Sequence, residues 1–332
     1  MAERGDCSMN VGIDLGTVSL LVYVEGRGLV LNEPSVIAIE KETRKPVAVG
    51  QSARDMIGRT PTHIETILPM RDGVIADVRG TEILLKYLLK KANITAKPFF
   101  KNRVVVCIPS GVTDVEEKAI QQAAIQAGAK KVKIVEEPYA AALGAGLDIM
   151  GAAGNLVVDV GGGTTDIAVL SMGGIVCKSS IRVGGNKMDE AIVKYVRRIY
   201  NLAIGEPTAE QVKKEIGCAL PQGRMFSSMK IKGRDLVSGL PKTISITSQD
   251  VFLALDEQLQ NIISAVKEVL EKTPPELAGD IEEKGMFLTG GGSLLHLFDE
   301  RLKRETGLKA TLSEDPVGCV VWGTGQVLKQ WA

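Results

Sequence analysis

Short apolar runs closed by glycine, proline or serine mark buried strands along this chain. RVVVCIPS (103–110) is one of them, and KVKIV (131–135) and MFLT (286–289) read as further strands. MKIKGRDLVSGLPKTISIT (229–247) alternates apolar and polar positions instead, as strands of a small, half-exposed sheet do. Between these runs the spacing changes to that of helices. In TDVEEKAIQQAAIQAG (113–128), Thr113 and Glu116 predict a capping box and Gly128 a stop. EEPYAAALGAG (136–146) turns into a short helix with Pro138 near its first turn. PTAEQVKKEIG (207–217) offers Thr208 and Gln211 as a second box. DVFLALDEQLQNIISAVKEVLEK (250–272) is a long amphipathic helix ended by Pro274 and Pro275. The glycines after MFLT predict a turn and a helix start. Strand and helix signals that alternate in this way predict an α/β fold.

One stretch does not fit ordinary packing. NLVVDVGGGTTDIAVL (155–170) has apolar flanks, but two aspartates, three glycines and two threonines between them. A plain hairpin tip accounts for some glycine. Three in a row also strip side chains from successive N–H groups, so that an anion can approach the main chain. On this stretch alone both readings stand. It lacks the Gly-Lys-Ser/Thr and following helix of a Walker loop, and the following helix of a dinucleotide fingerprint. The balance moves when NVGIDLGTVSLLVYV (10–24) is laid beneath it. Each segment has Asn, an apolar approach, an aspartate (Asp14 or Asp159), an apolar residue and glycine, then threonine and an apolar exit. Two plain hairpins have no need to share an aspartate at one turn position. A duplicated pair of domains meeting around a nucleotide explains both segments.

With 332 residues the chain has room for two domains, with smaller subdomains inserted at about 32–69 and 182–249. Charge changes the picture by exclusion. Forty basic residues balance forty acidic ones and aromatics are 4%, which argues against a nucleic-acid partner. The five cysteines form no Cys-x-x-Cys pair and only two histidines are present, so neither a zinc site nor a disulfide framework is expected. MAERGDCSMN does not read as a secretory signal, and no run of about 18 apolar residues predicts a membrane span.

With GIDLGT, NEPSVIAI, VGQSARDMIGRTP, PMRDGVIAD, EEPYAAALGAG, VVDVGGGTTDIAV, TAEQVKKEIG, EKTPPEL and FLTGGGSLL in hand, the chain resembles the actin-like ATPase superfamily, and within it the MreB family of bacterial actins. The resemblance runs from residue 12 to about 300. It implies the actin-like fold: a first core domain (1–31, 70–145 and 316–332) carrying the insert 32–69, and a second (146–181 and 250–315) carrying 182–249. It also implies ATP and Mg²⁺ as ligands. Asp14 and Asp159, on the two loops, are expected to hold the metal through water. Gly16, Thr17, Val18 and Ser19, with Gly161, Gly162, Gly163 and Thr164, are expected to cradle phosphates. Glu137 is expected to orient the attacking water, with Glu136 as the confusable neighbour and Thr164 assisting. Glu210 and Lys213 match positions that contact ribose and adenine, although alone they read as an exposed helix pair. Gly290, Gly291, Gly292 and Ser293 resemble a turn that packs on the base. Lys187 reads as a solvated charge. Val18-Ser19-Leu20 departs from the family's usual Ala-Asn-Thr. The implied function is a slow ATPase whose self-assembled filaments organise cell shape and cell-wall synthesis, with cell-wall elongation proteins as partners, in the bacterial cytoplasm against the inner membrane. A soluble metabolic kinase on the same fold is the alternative. Phe99 and Phe100, side by side between Lys97 and Lys101, read either as core or as a membrane wedge.

Overall fold

The computed structural model describes residues 10–92, 103–221 and 227–331. The chain divides into two units, Met1–Asp148 with Val317–Ala332, and Ile149–Pro316.

In the first unit β1 (Val11–Leu15) and β2 (Ser19–Val24) form an antiparallel hairpin, and β3 (Gly28–Pro34) continues the meander. The strands β4 (Ile37–Glu40), β5 (Pro46–Val49) and β6 (Ile64–Ile67) make a separate three-stranded sheet, and α1 (Val78–Lys91) leads back. Next along the chain are β7 (Arg103–Ile108), α2 (Asp114–Gln126), β8 (Lys131–Glu136) and α3 (Glu137–Gly144). The five-stranded sheet has the order β8-β7-β1-β2-β3, with β1, β7 and β8 mutually parallel. All five residues of β1 are buried, as expected of a strand covered on both faces. Ile13 and Leu15 share a core with Leu84, Leu85 and Leu88 of α1 and Val104 and Val106 of β7.

The helix Cys319–Gln330 returns to this unit and crosses α3 with the two backbones in contact. A Cβ on Gly144 would stand 1.8 Å from Cys319 O, and one on Gly323 1.8 Å from Ala140 O. Cys319 Sγ donates to Ala141 O at 3.1 Å. Only glycine at these two positions permits so close a crossing.

The second unit repeats the scheme. β9 (Asn155–Val160), β10 (Thr165–Ser171) and β11 (Gly174–Ile181) form the antiparallel meander. They are followed by α4 (Gly185–Tyr200), α5 (Glu206–Ile216), and β12 (Ser228–Asp235) with β13 (Pro241–Thr247), which join Leu202–Ala203 in a small sheet. The chain then runs through α6 (Ser248–Glu271), α7 (Pro275–Lys284), β14 (Met286–Thr289), α8 (Phe298–Thr306) and β15 (Ala310–Leu312). The sheet order is β11-β10-β9-β14-β15, with β9, β14 and β15 parallel. Three meandering strands followed by two parallel ones thus appear in both units.

Local start signals held in part. The Thr113–Glu116 capping box forms, with Thr113 Oγ1 accepting the N–H of Glu116. The expected Thr208–Gln211 box does not. α5 begins at Glu206 after Gly205, and Pro207, whose fixed φ suits a first turn, draws Thr208 inside the helix. α6 starts earlier than its apolar stripe, through an unforeseen box between Thr247 and Asp250. The helix start expected after MFLT is a single 3₁₀ turn, Gly291–Leu294, and the α-helix waits until Phe298.

Candidate functional site

Ligand sites in open α/β sheets lie beyond the carboxyl ends of parallel strands. In the first unit that edge is set by the pairings Asp14↔Cys107 and Glu136↔Ile108. Asp14 stands on β1 itself, not in the loop as expected, because the ladder continues to Leu15↔Leu20. It is buried, and desolvation pushes its carboxyl up to about 7. A Cβ at Gly16 would lie 2.6 Å from Ser19 O, so this glycine serves a close approach and not a left-handed turn. Thr17 Oγ1 accepts the N–H of Gly73 at 3.3 Å, and Val18 O accepts that of Ser35 at 2.9 Å. Ser19 is half-buried at the start of β2, opposite Pro34.

Glu137 and Glu136 separate clearly. Glu136 ends β8 half-buried, whereas Glu137 is buried in the first turn of α3, beside Pro138. The positive end of the helix dipole favours its carboxylate there.

The second unit has the same hairpin register. Asp159 pairs with Asp166 and Thr289, and Val160↔Thr165 closes the ladder, so Asp159 too belongs to a strand. Again a Cβ at the first loop glycine, Gly161, would crowd the carbonyl three residues on, Thr164 O, at 3.3 Å. Thr164 is buried, and its O accepts the N–H of Gly161 at 2.9 Å. The loop is clamped from one side by the start of α4. Gly185 N–H donates to Gly161 O at 3.0 Å and Asn186 N–H to Gly162 O at 2.8 Å. Gly290 covers the other side. Its φ is +80°, and a Cβ there would fall 2.3 Å from Asp159 Oδ1 and 2.4 Å from Val160 O. Ser293 Oγ donates to Gly290 O at 2.6 Å, closing the turn that Gly291 and Gly292 run through.

Asp159, Gly161–Thr164 and Gly290–Ser293 are therefore brought together. Lys213 joins them indirectly, donating to Gly185 O at 2.8 Å and lying 2.8 Å from Asp189 Oδ1. Burial raises the Asp189 carboxyl to about 6, against the opposing pull of Lys213. Glu210, half-buried one helical turn earlier, pairs with Lys214 at 2.6 Å. Lys187 pairs with Glu190, as a solvated charge does. Phe99 and Phe100 lie outside the described residues.

Three contributors were not foreseen: the main chain of Gly184–Asn186, the Gly73 amide, and Asp189. Backbone donors leave no side-chain signature. The Gly184-Gly185 pair was the one visible signal, since a Cβ on Gly184 would meet Gly161 O at 2.7 Å.

Among the described residues no group of three or more acid, thiol or imidazole ligands is present. Asp14 in the first unit and Asp159 in the second are each a buried carboxylate at a strand end, a ligand type that Mg²⁺ takes singly or in pairs while keeping most of its water.

Two α/β units with the same strand order, each with an aspartate before a main-chain loop at the strand ends, define an actin-like ATPase. The chain belongs to the MreB/Mbl protein family, whose model matches residues 8–332. It is 49% identical to the cell shape-determining protein Mbl of Bacillus subtilis (strain 168) over 96% of this chain and 95% of that one. It is 48% identical to the cell shape-determining protein MreB of Escherichia coli (strain K12), over 98% and 95%. MreB5 of Spiroplasma citri bound to ADP superposes with a TM-score of 0.93 at 41% identity, covering 98% of each chain. A chain of the MamK double helical filament, at 21% identity and TM-score 0.81, shares the fold. The metabolic-kinase alternative finds no support in this membership.

Proposed function

We propose that this chain binds Mg·ATP, hydrolyses it slowly, and uses the cycle to control assembly of its own copies into filaments that organise cell shape and cell-wall synthesis. The observation that carries this is the paired hairpin register, with a buried aspartate two residues before a glycine that faces the carbonyl three positions on. Main-chain amides of Gly16–Ser19 and Gly161–Thr164 would take phosphate oxygens, and Asp14 and Asp159 the hydrated Mg²⁺. When bound, the metal neutralises charge on the phosphates. Glu137, fixed on α3, orients water, which is the main demand of phosphoryl transfer. Relatives crystallised with ADP and AMPPNP, and relatives named cell shape-determining, support this reading. The subdomain bounds 32–69 and 182–249, a bacterial cytoplasmic location against the inner membrane, and a membrane wedge at Phe99–Phe100 belong to the same reading.

Pelleting at micromolar protein with Mg·ATP against Mg·ADP tests it. Sedimentable polymer with ATP, lost in Asp159→Ala, is the expected result. A chain that stays monomeric with either nucleotide, with and without lipid, refutes it. For the wedge, Phe99→Ser/Phe100→Ser is expected to abolish flotation with anionic vesicles while polymer persists.

A further inference from the structure

Among the described residues of the second unit, Arg301 is the one strongly buried arginine, and no step of the proposed chemistry uses it. A guanidinium cannot shed its charge, so burying one is costly unless its donors are engaged. On α8, Arg301 is 4% exposed. Its Nη1 donates to Ala219 O at 3.1 Å and its Nη2 to Asp256 Oδ1 of α6 at 2.5 Å. Its plane lies over the Phe252 ring, 5.8 Å from the centroid. The Asp256 side chain is 48% exposed, so the ion pair alone repays little of the desolvation. The contact that needs Arg301 to be inside is the one to Ala219.

Ala219 is where two elements of the proposed nucleoside site are joined. It follows α5, which carries Glu210 and Lys213 and is capped by Gly217. Its N–H donates to His296 O at 2.8 Å, and Cys218 forms a parallel bridge with His296. A Cβ on Gly217 would stand 3.0 Å from Leu295 Cδ1, and Leu295 N–H donates to Gly292 O at 3.2 Å. The end of α5 is thereby pinned to the segment leaving the Gly290–Ser293 turn, and Arg301 closes the pin from α8. One guanidinium holds the carbonyl of Ala219 and, through Asp256, α6.

We infer that Arg301 is a positioning residue for nucleoside recognition: it sets the spacing between α5 and the Gly290–Ser293 turn, and so the affinity and base selectivity of the site, without taking part in phosphate chemistry. This rests on the reading that those two elements hold the base and ribose. The expected signature is a split between KM and kcat. Arg301→Met keeps the bulk over Phe252 but drops both hydrogen bonds. It should raise KM for ATP about tenfold and reduce the preference for ATP over GTP, with kcat within about twofold of the parent. Arg301→Lys, which can satisfy one partner at a time, should fall between Met and the parent.

Asp256→Ala removes the more exposed end and leaves Ala219 paired, and should raise KM less than Arg301→Met does. It also supplies the measurement if Arg301→Met does not fold. In that event unchanged KM and base preference in both Arg301→Lys and Asp256→Ala overturn the inference. So does an Arg301→Met protein that melts earlier but keeps the parent's KM and base preference, since its role is then structural only. Glu210→Ala separates the two claims. If it too leaves ATP affinity unchanged, the placement of the nucleoside is wrong. If it weakens ATP while Arg301→Met does not, only the role of Arg301 falls.

Discussion

Adding one methyl group at Gly184 tests whether the Gly161–Thr164 loop needs its exact seat. Gly184 has an extended backbone, φ −161° and ψ −160°, so alanine is not strained there. The whole effect is steric. The new Cβ would stand 2.7 Å from Gly161 O and 2.9 Å from both C and O of Gly162, all of them backbone atoms that no side-chain rotation can clear. Ordinary contact begins at 3.4 Å, so the loop must retreat by about 0.7 Å. Such a retreat stretches the Gly185–Gly161 and Asn186–Gly162 bonds, now 3.0 and 2.8 Å, to or beyond the limit of useful geometry. Losing two bonds of roughly 0.5–1.5 kcal/mol each gives about 1–3 kcal/mol of destabilisation. On the proposed phosphate-binding role of these amides, displacing them by about 0.7 Å costs up to about 10²-fold in rate. The control is the same methyl on Gly279, inside α7, where nothing lies within 4 Å. There alanine should stabilise by roughly 0.5–1 kcal/mol. Thermal melts and phosphate release on both variants read the result. A Gly184→Ala protein that melts and hydrolyses ATP like the parent refutes the seat. Equal loss in both variants refutes the steric argument.

Glu137→Ala should keep ATP binding while phosphate release falls about 10²-fold, with Glu136→Ala close to the parent; equal rates in the two variants would end the assignment. Asp189 titrates near 6 when folded against an ordinary 3.8, so the native state holds the extra proton between those values. Its contribution to stability therefore grows as pH falls through 6 toward 4, with Lys213 and Lys214 opposing protonation and Glu210 favouring it. Asp189→Asn should flatten that part of a melting-temperature profile, and an unchanged slope counts against the shift. Thr247→Ala should lower stability by about 1 kcal/mol through the lost α6 cap, readable in urea unfolding.

The strand β7 was legible because burial on both faces writes a continuous apolar run, and β1 and β9 were legible as the apolar approaches of the doubled hairpin. The doubled hairpin was legible because its aspartates recur at one register position. Helix starts were less so. Pro207 outranked Thr208 at α5, and the Thr247–Asp250 box lay where the pattern still read as strand. Of the proposed site, Asp14, Asp159 and Glu137 were expected from the sequence, and the structure buries all three. The parts that fix them were not expected. Lys213 reads as an exposed partner of Glu210 until α4 is folded against it, and then it bonds Gly185 O and Asp189. The amides of Gly73 and Asn186 carry no residue-specific mark, and the one at Gly185 is hinted at only by the Gly184-Gly185 pair.

The matching strand orders also bear on ancestry. One half, copied and joined to itself within a gene, leaves such a signature: identical meander, identical parallel pair, identical turn length. The two loops are nevertheless anchored differently: Thr17 Oγ1 accepts the Gly73 N–H, whereas the carbonyls of Gly161 and Gly162 accept the N–H groups of Gly185 and Asn186. Inheritance by halves suggests where relatives can be recombined. Crossovers at Asp148–Ile149 and Pro316–Val317 exchange an entire loop together with the anchor that holds it. A crossover between Thr164 and Gly184 hands a loop to a stranger's anchor.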